Sequence, residues 1–219
     1  MIATATMRVP TKLPRESERR KSALIPVACL TIFIVIWTAL AWSPVDRATW
    51  LLENSPTFVI VPALVLSFRR FQFSNRAYVQ GLVFLVLHTI GSHYSYSLVP
   101  LGETVRSVLE LSRNHYDRFV HLAFGVLLYA PTRELAFHRA RAVPVFAQLA
   151  LSFTAIAAFA LGYELVEWGV AVLADPAAGI SFLGTQGDEW DAQKDMALAC
   201  SGALLAVPWE LWRLRKEER

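Results

Sequence analysis

The chain has 219 residues, of which 55% are hydrophobic and only 18% are charged, with a formal net charge of +3. Soluble domains are about 45–50% apolar and about 25% charged, so this balance excludes a disordered, collagen-like or disulfide-rich chain and indicates a protein that resides in lipid. The two cysteines, Cys29 and Cys200, both lie in apolar runs. There they are expected to be small core residues, neither a disulfide nor a thiolate metal site.

Six apolar runs predict membrane-spanning helices. A bilayer core needs about 20 apolar residues of helix. The first, third and fifth runs reach that length unaided, whereas the other three reach it only when extended backwards through charged residues. The sequence therefore predicts an all-α, polytopic membrane helix bundle with about six transmembrane helices. The runs are residues 23–42, 54–68, 77–100, 119–132, 142–163 (with an apolar continuation to 173) and 196–209.

The placement of lysine and arginine predicts the orientation of this bundle. Most of the 21 basic residues fall before the first run, after the second, after the fourth or at the C-terminus, and these four places lie on one side of a six-span bundle. Both termini are therefore predicted to be cytoplasmic. Residues 1–22 are predicted to be a disordered basic tail and residues 213–219 a second basic tail, on either side of a transmembrane domain at residues 23–212. Such ends suit an anionic membrane surface and not nucleic acid.

The first run also permits a different interpretation. Its basic start, its apolar stretch and the small residues Ala39-Leu40-Ala41 resemble a signal peptide with a cleavage site. The apolar stretch is long for a signal peptide, and Trp42 follows directly. Cleavage at this point would leave five spans and an N-terminus outside the cell.

Ionisable side chains gather near the outer ends of the predicted helices, and the inner halves are apolar. Charged groups at membrane depth are costly and need partners, so their position indicates a functional site. Asp188, Asp191 and Asp195 stand at i, i+3 and i+7 on one helical face, and Glu164 and Glu167 share another face. Carboxylates this close repel one another unless a cation, a shared proton or a basic side chain lies among them. The pattern predicts a site that opens to the outside.

These residue types favour a metal-dependent or acid–base site for an anionic head group. Carboxylates and imidazoles can bind a divalent metal and transfer protons, and arginine and lysine bind phosphate. The candidate catalytic residues are Glu164, Glu167, His115, His121 and Asp117; the candidate substrate-binding residues are Arg118, Lys194 and Gln186; and the candidate ligands of a divalent metal are Asp188, Asp191 and Asp195.

Other interpretations of the same residues stay open. Asp188 could be the N-cap of the last helix, with Asp191 favoured by the helix dipole. The whole cluster could be a salt-bridge network that fixes the helix register in a non-catalytic structural or partner-binding protein. A transporter would need polar groups through the whole depth, and the apolar inner halves argue against one. His88 is expected to be a buried histidine with satisfied hydrogen bonds.

Three segments of the chain carry a resemblance to a known family: Asn114-His115-Tyr116-Asp117-Arg118 with His121, Tyr163-Glu164-Leu165-Val166-Glu167-Trp168, and residues 184–196. In these segments the chain resembles YjdF-type bacterial inner-membrane proteins, the DUF2238 domain family. The resemblance covers residues 45–207 and implies a multi-pass protein of the bacterial inner membrane, without an established activity to transfer.

Two features carry a looser resemblance: an Asp-Arg-x-x-His motif from Asp117 to His121 at the start of one predicted span, and a final helix opened by the spaced aspartates Asp191 and Asp195. In these features the chain resembles VanZ-like membrane proteins, which have Lys or Arg at the second position of the motif. The chain departs from them in carrying Glu164 and Glu167 where a Glu…Gln pair is expected. This resemblance implies a cell-envelope context, which favours an envelope lipid or lipid-linked phosphate as the substrate.

Overall fold

The computed structural model describes residues 16–137, 143–173 and 184–217, and in these ranges it contains eight helices and no strand. The prediction of an all-α protein is thereby confirmed. Predictions that concern residues 1–15, 138–142 or 218–219 lie outside the described residues. The helices are α1 (Glu16–Ala41), α2 (Arg47–Glu53), α3 (Ser55–Ser67), α4 (Asn75–His93), α5 (Pro100–Val108), α6 (Tyr116–Phe137), α7 (Val145–Leu173) and α8 (Asp191–Glu217).

Two helices of the described chain are long and apolar enough to cross a membrane on their own. They are the Ala23–Ala41 part of α1 and the whole of α7. Together, α2 and α3 would make a third span with a bend of 43°. The remaining predicted spans coincide with α4, α6 and α8, whose charged and polar residues lower their hydropathy. A total of six spans and the orientation of the termini therefore stay predictions.

The helices extend into both predicted tails. Within the described chain, α1 begins at Glu16, although residues 1–22 are predicted to be disordered, and α8 continues to Glu217. These ends are rich in charged residues with good helix propensity, and a helix that has already formed extends at little cost.

The second predicted span, with its backward extension through Glu53, corresponds to α2 and α3, and the chain bends between them at Asn54. The Asn54 side chain donates from Nδ2 to the Trp50 carbonyl oxygen (2.8 Å) and to Ser92 Oγ (3.1 Å), and its Oδ1 accepts from Trp37 Nε1 (2.8 Å). These bonds tie the bend to α1 and α4. The bend carries Glu53, at the last position of α2, into the interior of the bundle.

The third predicted span is shorter than expected, because the chain turns after His93. Ser95 and Tyr96 both have a positive φ, of 50° and 49°, and the Tyr96 amide donates to the Gly91 carbonyl oxygen (2.7 Å). A Cβ on Gly91 would lie 2.5–2.8 Å from the Tyr96 ring, so only glycine leaves room for that ring. The short amphipathic helix α5, which the sequence pattern did not predict, follows this turn.

Helices α6 and α8 run parallel in close contact through their glycines. A Cβ on Gly125 would overlap the Ala199 carbonyl oxygen, and a Cβ on Gly202 would lie 3.0 Å from the Val126 amide nitrogen. Small residues let helices approach this closely within a membrane. Because both helices run in the same direction, their polar first turns lie at the same end of the bundle, which we call the acidic end.

The opposite end, which we call the basic end, is organised by the buried carboxylate of Glu210, only 1% exposed. Glu210 accepts hydrogen bonds from Arg76 of α4, from Arg133 Nε of α6 (3.3 Å) and from Arg213 Nη2 of α8 (3.3 Å). Arg133 also donates from Nη1 to Gln148 Oε1 of α7 (3.2 Å). One glutamate therefore links three helices directly and a fourth through Arg133.

Candidate functional site

Polar side chains from four helices and from the loops before two of them meet at the acidic end. Helices α2 and α7 finish there, whereas α6 and α8 begin there, so each helix contributes residues near one terminus. The side chains form two groups that differ in their pairing. The acid–histidine cluster consists of Glu53, Asp117, His121, Glu164, Glu167 and Asp195; the ion-pair rim consists of Arg113, Arg118, Asp188, Asp191 and Lys194.

The centre of the acid–histidine cluster has the geometry of a metal-binding group. Asp117, His121 and Asp195 each offer one donor atom, and these three atoms lie within 4.8 Å of one another. His121 Nε2 is 3.5 Å from Asp117 Oδ1 and 3.6 Å from Glu164 Oε1, too far for good hydrogen bonds. Imidazole and carboxylate donors at this spacing suit a divalent cation. The structure thus brings together four residues that the sequence predicts for the site.

Two oxygen atoms of the cluster lack a hydrogen-bond partner among the described residues. They are Glu164 Oε1 and Asp195 Oδ1, in residues that are only 8% and 2% exposed. A buried carboxylate oxygen without a partner costs free energy, because its hydration is lost and nothing replaces it. Both atoms point to a role in holding a proton or a cation.

The number of carboxylates in the cluster supports the same conclusion. Glu167 is close enough to interact electrostatically with Glu53, Asp117, Glu164 and Asp195. Carboxylates that share a site shielded from water cannot all carry a full negative charge without a compensating cation or shared protons. A single imidazole does not balance five acids.

Glu53 and its hydrogen-bond partners extend the cluster beyond the sequence-predicted residues. The Tyr163 hydroxyl donates to Glu53 Oε2 (2.5 Å), and His88 Nε2 lies 3.0 Å from the Glu53 carbonyl oxygen. Since a carbonyl oxygen only accepts, His88 Nε2 is the donor and its Nδ1 accepts from the Tyr96 hydroxyl (2.5 Å). The expectation of a buried His88 with satisfied hydrogen bonds is confirmed.

The ion-pair rim contains most of the remaining predicted site residues. Arg113 pairs with Asp191 through both terminal guanidinium nitrogens, Nη1 and Nη2. Arg118 pairs with Asp188 and also, at 3.2 Å, with Asp191. Lys194 Nζ lies 2.6 and 2.8 Å from the two Asp188 oxygens. Asp188 and Asp191, predicted as metal ligands, are thus paired with Arg118 and Lys194, predicted to bind substrate. Three cationic groups around two carboxylates leave one excess positive charge.

Local contacts shift the protonation of two groups near the start of α6. Hydrogen bonds from Lys194 and Arg118 hold the pKa of Asp188 well below its usual range. Burial, together with the neighbouring Arg118 and Arg113 charges, lowers the pKa of His115. His115 Nδ1 lies 3.3 Å from Arg118 Nη1, so it accepts that hydrogen bond as a neutral imidazole. His115 therefore contacts the ion-pair rim through Arg118 and lies apart from the acid–histidine cluster that contains His121.

Gln186 fixes the loop before α6. Its Oε1 accepts from the backbone N–H of Asn114 (2.9 Å), and its Nε2 donates to the backbone carbonyl oxygen of Asn114 (3.0 Å). Arg113 Nη1 donates to the nearby Thr185 carbonyl oxygen (3.1 Å). Among the described residues, the amide of Gln186 is therefore committed to backbone, and its predicted contact with substrate stays a prediction.

Two residues of the site, Arg113 and Glu53, are not among the catalytic, substrate-binding or metal-binding candidates predicted from the sequence. Arg113 could have been identified by its charge, because it lies at the predicted outer face against the trend of the other arginines. Glu53 had a weaker signal, since its place inside the bundle depends on the bend at Asn54.

Comparison with known proteins identifies the family. A family model described as "Predicted membrane protein (DUF2238)" matches residues 25–216. The chain is 34% identical over 192 residues to "Inner membrane protein YjdF" of Escherichia coli (strain K12). These matched residues cover 85% of this chain and 88% of that protein. No solved structure matches the chain.

These comparisons confirm the resemblance to YjdF-type proteins and the assignment to the bacterial inner membrane, while the looser resemblance to VanZ-like proteins stays a prediction. The chain belongs to the DUF2238 family of predicted membrane proteins.

Proposed function

We propose that this inner-membrane protein is an enzyme whose site at the acidic end holds a divalent cation and acts on the phosphate of an envelope lipid. Asp117, His121 and Asp195 are the proposed ligands. The observation that carries the proposal is that their donor atoms lie within 4.8 Å of one another beside the unpartnered oxygen of Glu164. The orientation predicted from the basic residues would place this site on the outer side of the membrane.

The chemistry that such a site supports is hydrolysis or transfer of a phosphoryl group. A bound divalent cation polarises a phosphate oxygen and makes a bound water more acidic. Glu164 is the proposed general base, because its free oxygen is 3.6 Å from His121 Nε2, at the edge of the three-ligand group. Glu167, one helical turn away, is the proposed second proton acceptor.

An anionic lipid fits the surroundings of the cluster. The excess positive charge of the ion-pair rim lies directly beside the carboxylates, where a phosphate could replace Asp188 as the partner of Arg118 and Lys194. On α7, Leu165 and Trp168 flank the cluster residues and are exposed. Apolar side chains exposed at this level suit contact with lipid, so a lipid substrate could approach from the bilayer.

The proposal is tested by measuring the metal content of the purified protein and its phosphate release. The substrates are phosphatidic acid and a polyprenyl diphosphate in mixed micelles, with Mg²⁺, Mn²⁺ or Zn²⁺ added. The wild type is expected to retain about one metal ion per chain and to release phosphate, and Asp195→Asn to lose both. Glu189→Gln is the matched control, since Glu189 is an exposed carboxylate near the acidic end but outside the cluster. A folded Asp195→Asn variant with unchanged metal content would contradict the proposal.

A second candidate is a purely structural role, favoured by the close pairing within the ion-pair rim. In that case Asp191→Asn and Asp195→Asn would both lower the unfolding temperature, and neither would change metal content. The enzymatic proposal expects the two variants to differ. Asp191→Asn should mainly reduce stability, and Asp195→Asn should mainly reduce metal content.

A further inference from the structure

An apolar groove lies between α7 and α8 at the basic end, remote from the acid–histidine cluster. It has a volume of about 700 Å³, and its walls include Phe146, Leu149 and Phe153 of α7 and Leu204 and Leu211 of α8. On α8 the lining residues extend from position 204 to position 215, which at 1.5 Å per residue corresponds to about 16 Å. This length matches one leaflet of a hydrocarbon core about 30 Å thick.

The groove offers almost no hydrogen-bonding group along its length. Among the described residues that line it, the polar side chains are those of Thr154 and Arg215. The Thr154 hydroxyl donates to the Ala150 carbonyl oxygen of its own helix (3.0 Å) and is therefore satisfied. A ligand of this groove must be apolar along its body, with a polar end only at Arg215.

The end of the groove at Arg215 is positively charged and lies at the same level of α8 as interfacial side chains. Arg215 lines the groove, whereas Lys216, its neighbour in the last turn of α8, does not. Trp209 and Trp212 also lie outside the groove lining; both are exposed, with ring centroids 4.9 Å apart, and Lys216 Nζ lies 5.3 Å from the Trp212 ring. Tryptophan and lysine in this arrangement mark the level of lipid head groups. Basic residues at the ends of membrane helices bind anionic head groups at this level.

We propose that this groove is a binding site for an anionic phospholipid of the leaflet at the basic end. One acyl chain lies between α7 and α8, and the head-group phosphate contacts Arg215. The length of the groove selects a lipid tail, and the charge at its open end selects an anionic head group over a zwitterionic one. The site does not depend on the proposed enzymatic function, because it lies at the other end of the bundle.

Native mass spectrometry of the full chain, exchanged into detergent with equal amounts of phosphatidylglycerol and phosphatidylethanolamine, tests this site. The wild type is expected to retain phosphatidylglycerol in preference. Arg215→Ala should weaken phosphatidylglycerol binding about fivefold, the effect of about 1 kcal/mol per basic residue at a membrane surface, and should leave phosphatidylethanolamine unchanged. Ala150→Trp, which fills the groove, should remove both lipids.

Two controls separate this site from other effects. Arg70→Ala removes an exposed arginine from the loop between α3 and α4, away from the groove, and should retain lipid as the wild type does. Asp195→Asn should also retain it, whatever happens to the proposed metal site. Equal phosphatidylglycerol retention by the wild type, Arg215→Ala and Ala150→Trp would overturn the proposal. A wild-type dimer that Ala150→Trp converts to monomer without a change in bound lipid would also overturn it, since a second copy would then occupy the groove.

Discussion

Arg113 and Asp191 form a buried two-point ion pair that joins the loop before α6 to the first turn of α8. Arg113 Nη2 is 3.1 Å from Asp191 Oδ2, and Arg113 Nη1 pairs with Asp191 Oδ1. The side chains of Arg113 and Asp191 are 4% and 6% exposed. The pair connects positions 78 residues apart in the sequence. Since Asp117 and Asp195 follow these two residues by only four positions each, the pair also sets how closely the proposed metal ligands approach.

Loss of this pair should destabilise the protein strongly. Arg113→Met leaves the Asp191 carboxylate buried with fewer partners, and breaking a buried pair in this way costs about 3–5 kcal/mol. Arg106→Met is the matched control, because Arg106 pairs with Glu103 at the surface, where an ion pair contributes about 0–1 kcal/mol. Equilibrium unfolding in mixed micelles measures both free energies. Similar losses in the two variants would contradict the importance of burial.

The contact of α6 with α8 gives a second prediction, on glycine. Gly125→Ala and Gly202→Ala place a methyl group against backbone atoms of the facing helix, which cannot rotate away as a side chain could. We expect each to cost about 1–3 kcal/mol, as overpacking does. Gly162→Ala is the control, since nothing lies within 4 Å of its added Cβ. It should be neutral or up to about 1 kcal/mol stabilising, because alanine is the better helix former. Equal effects at all three positions would show that the close contact does not limit stability.

Hydrophobic runs and charge placement predict much of this fold. The runs at residues 23–42 and 142–163 correspond to α1 and α7, and the charged residues before the fourth and sixth runs become the first turns of α6 and α8. The bend at Asn54 was not predicted, because it depends on bonds to Trp37 and Ser92, which are far away in the sequence. Helix α5 was not predicted, because its apolar residues lie on one helical face and do not form a continuous hydrophobic run.

The candidate site shows the same division between local and long-range information. Helical spacing alone indicates that Asp117 and His121 lie on one face, and the structure places them together. Spacing cannot tell which carboxylates are neutralised by arginines of another segment. From the sequence, Asp188, Asp191 and Asp195 are three equivalent aspartates on one helical face. In the structure, Asp188 and Asp191 pair with Arg113 and Arg118, whereas Asp195 lies in the acid–histidine cluster.

The basic end gives a third prediction, centred on Glu210. Glu210→Gln removes the negative charge that accepts hydrogen bonds from Arg76, Arg133 and Arg213, in a position that is 1% exposed. We expect a loss of about 3–5 kcal/mol in the free energy of unfolding. Glu134→Gln is the control at the same end and should cost about 0.5–1.5 kcal/mol, because Glu134 accepts hydrogen bonds from Ser74 at the surface. If Glu210→Gln were no more harmful than this control, the four-helix link would not contribute to stability.

The lowered pKa of His115 predicts how stability depends on pH. Burial and the Arg118 and Arg113 charges disfavour the protonated imidazole in the folded protein, so the unfolded chain binds more protons below its pKa of 6.5. The contribution of His115 to the free energy of unfolding should therefore be constant above that pH and fall as the pH decreases towards 5. His115→Gln cannot be protonated and lacks this contribution, so the wild-type free energy of unfolding minus that of the variant should fall over this range. Unfolding curves of both proteins between pH 8 and pH 5 measure the difference, and parallel pH profiles would contradict the role assigned to His115.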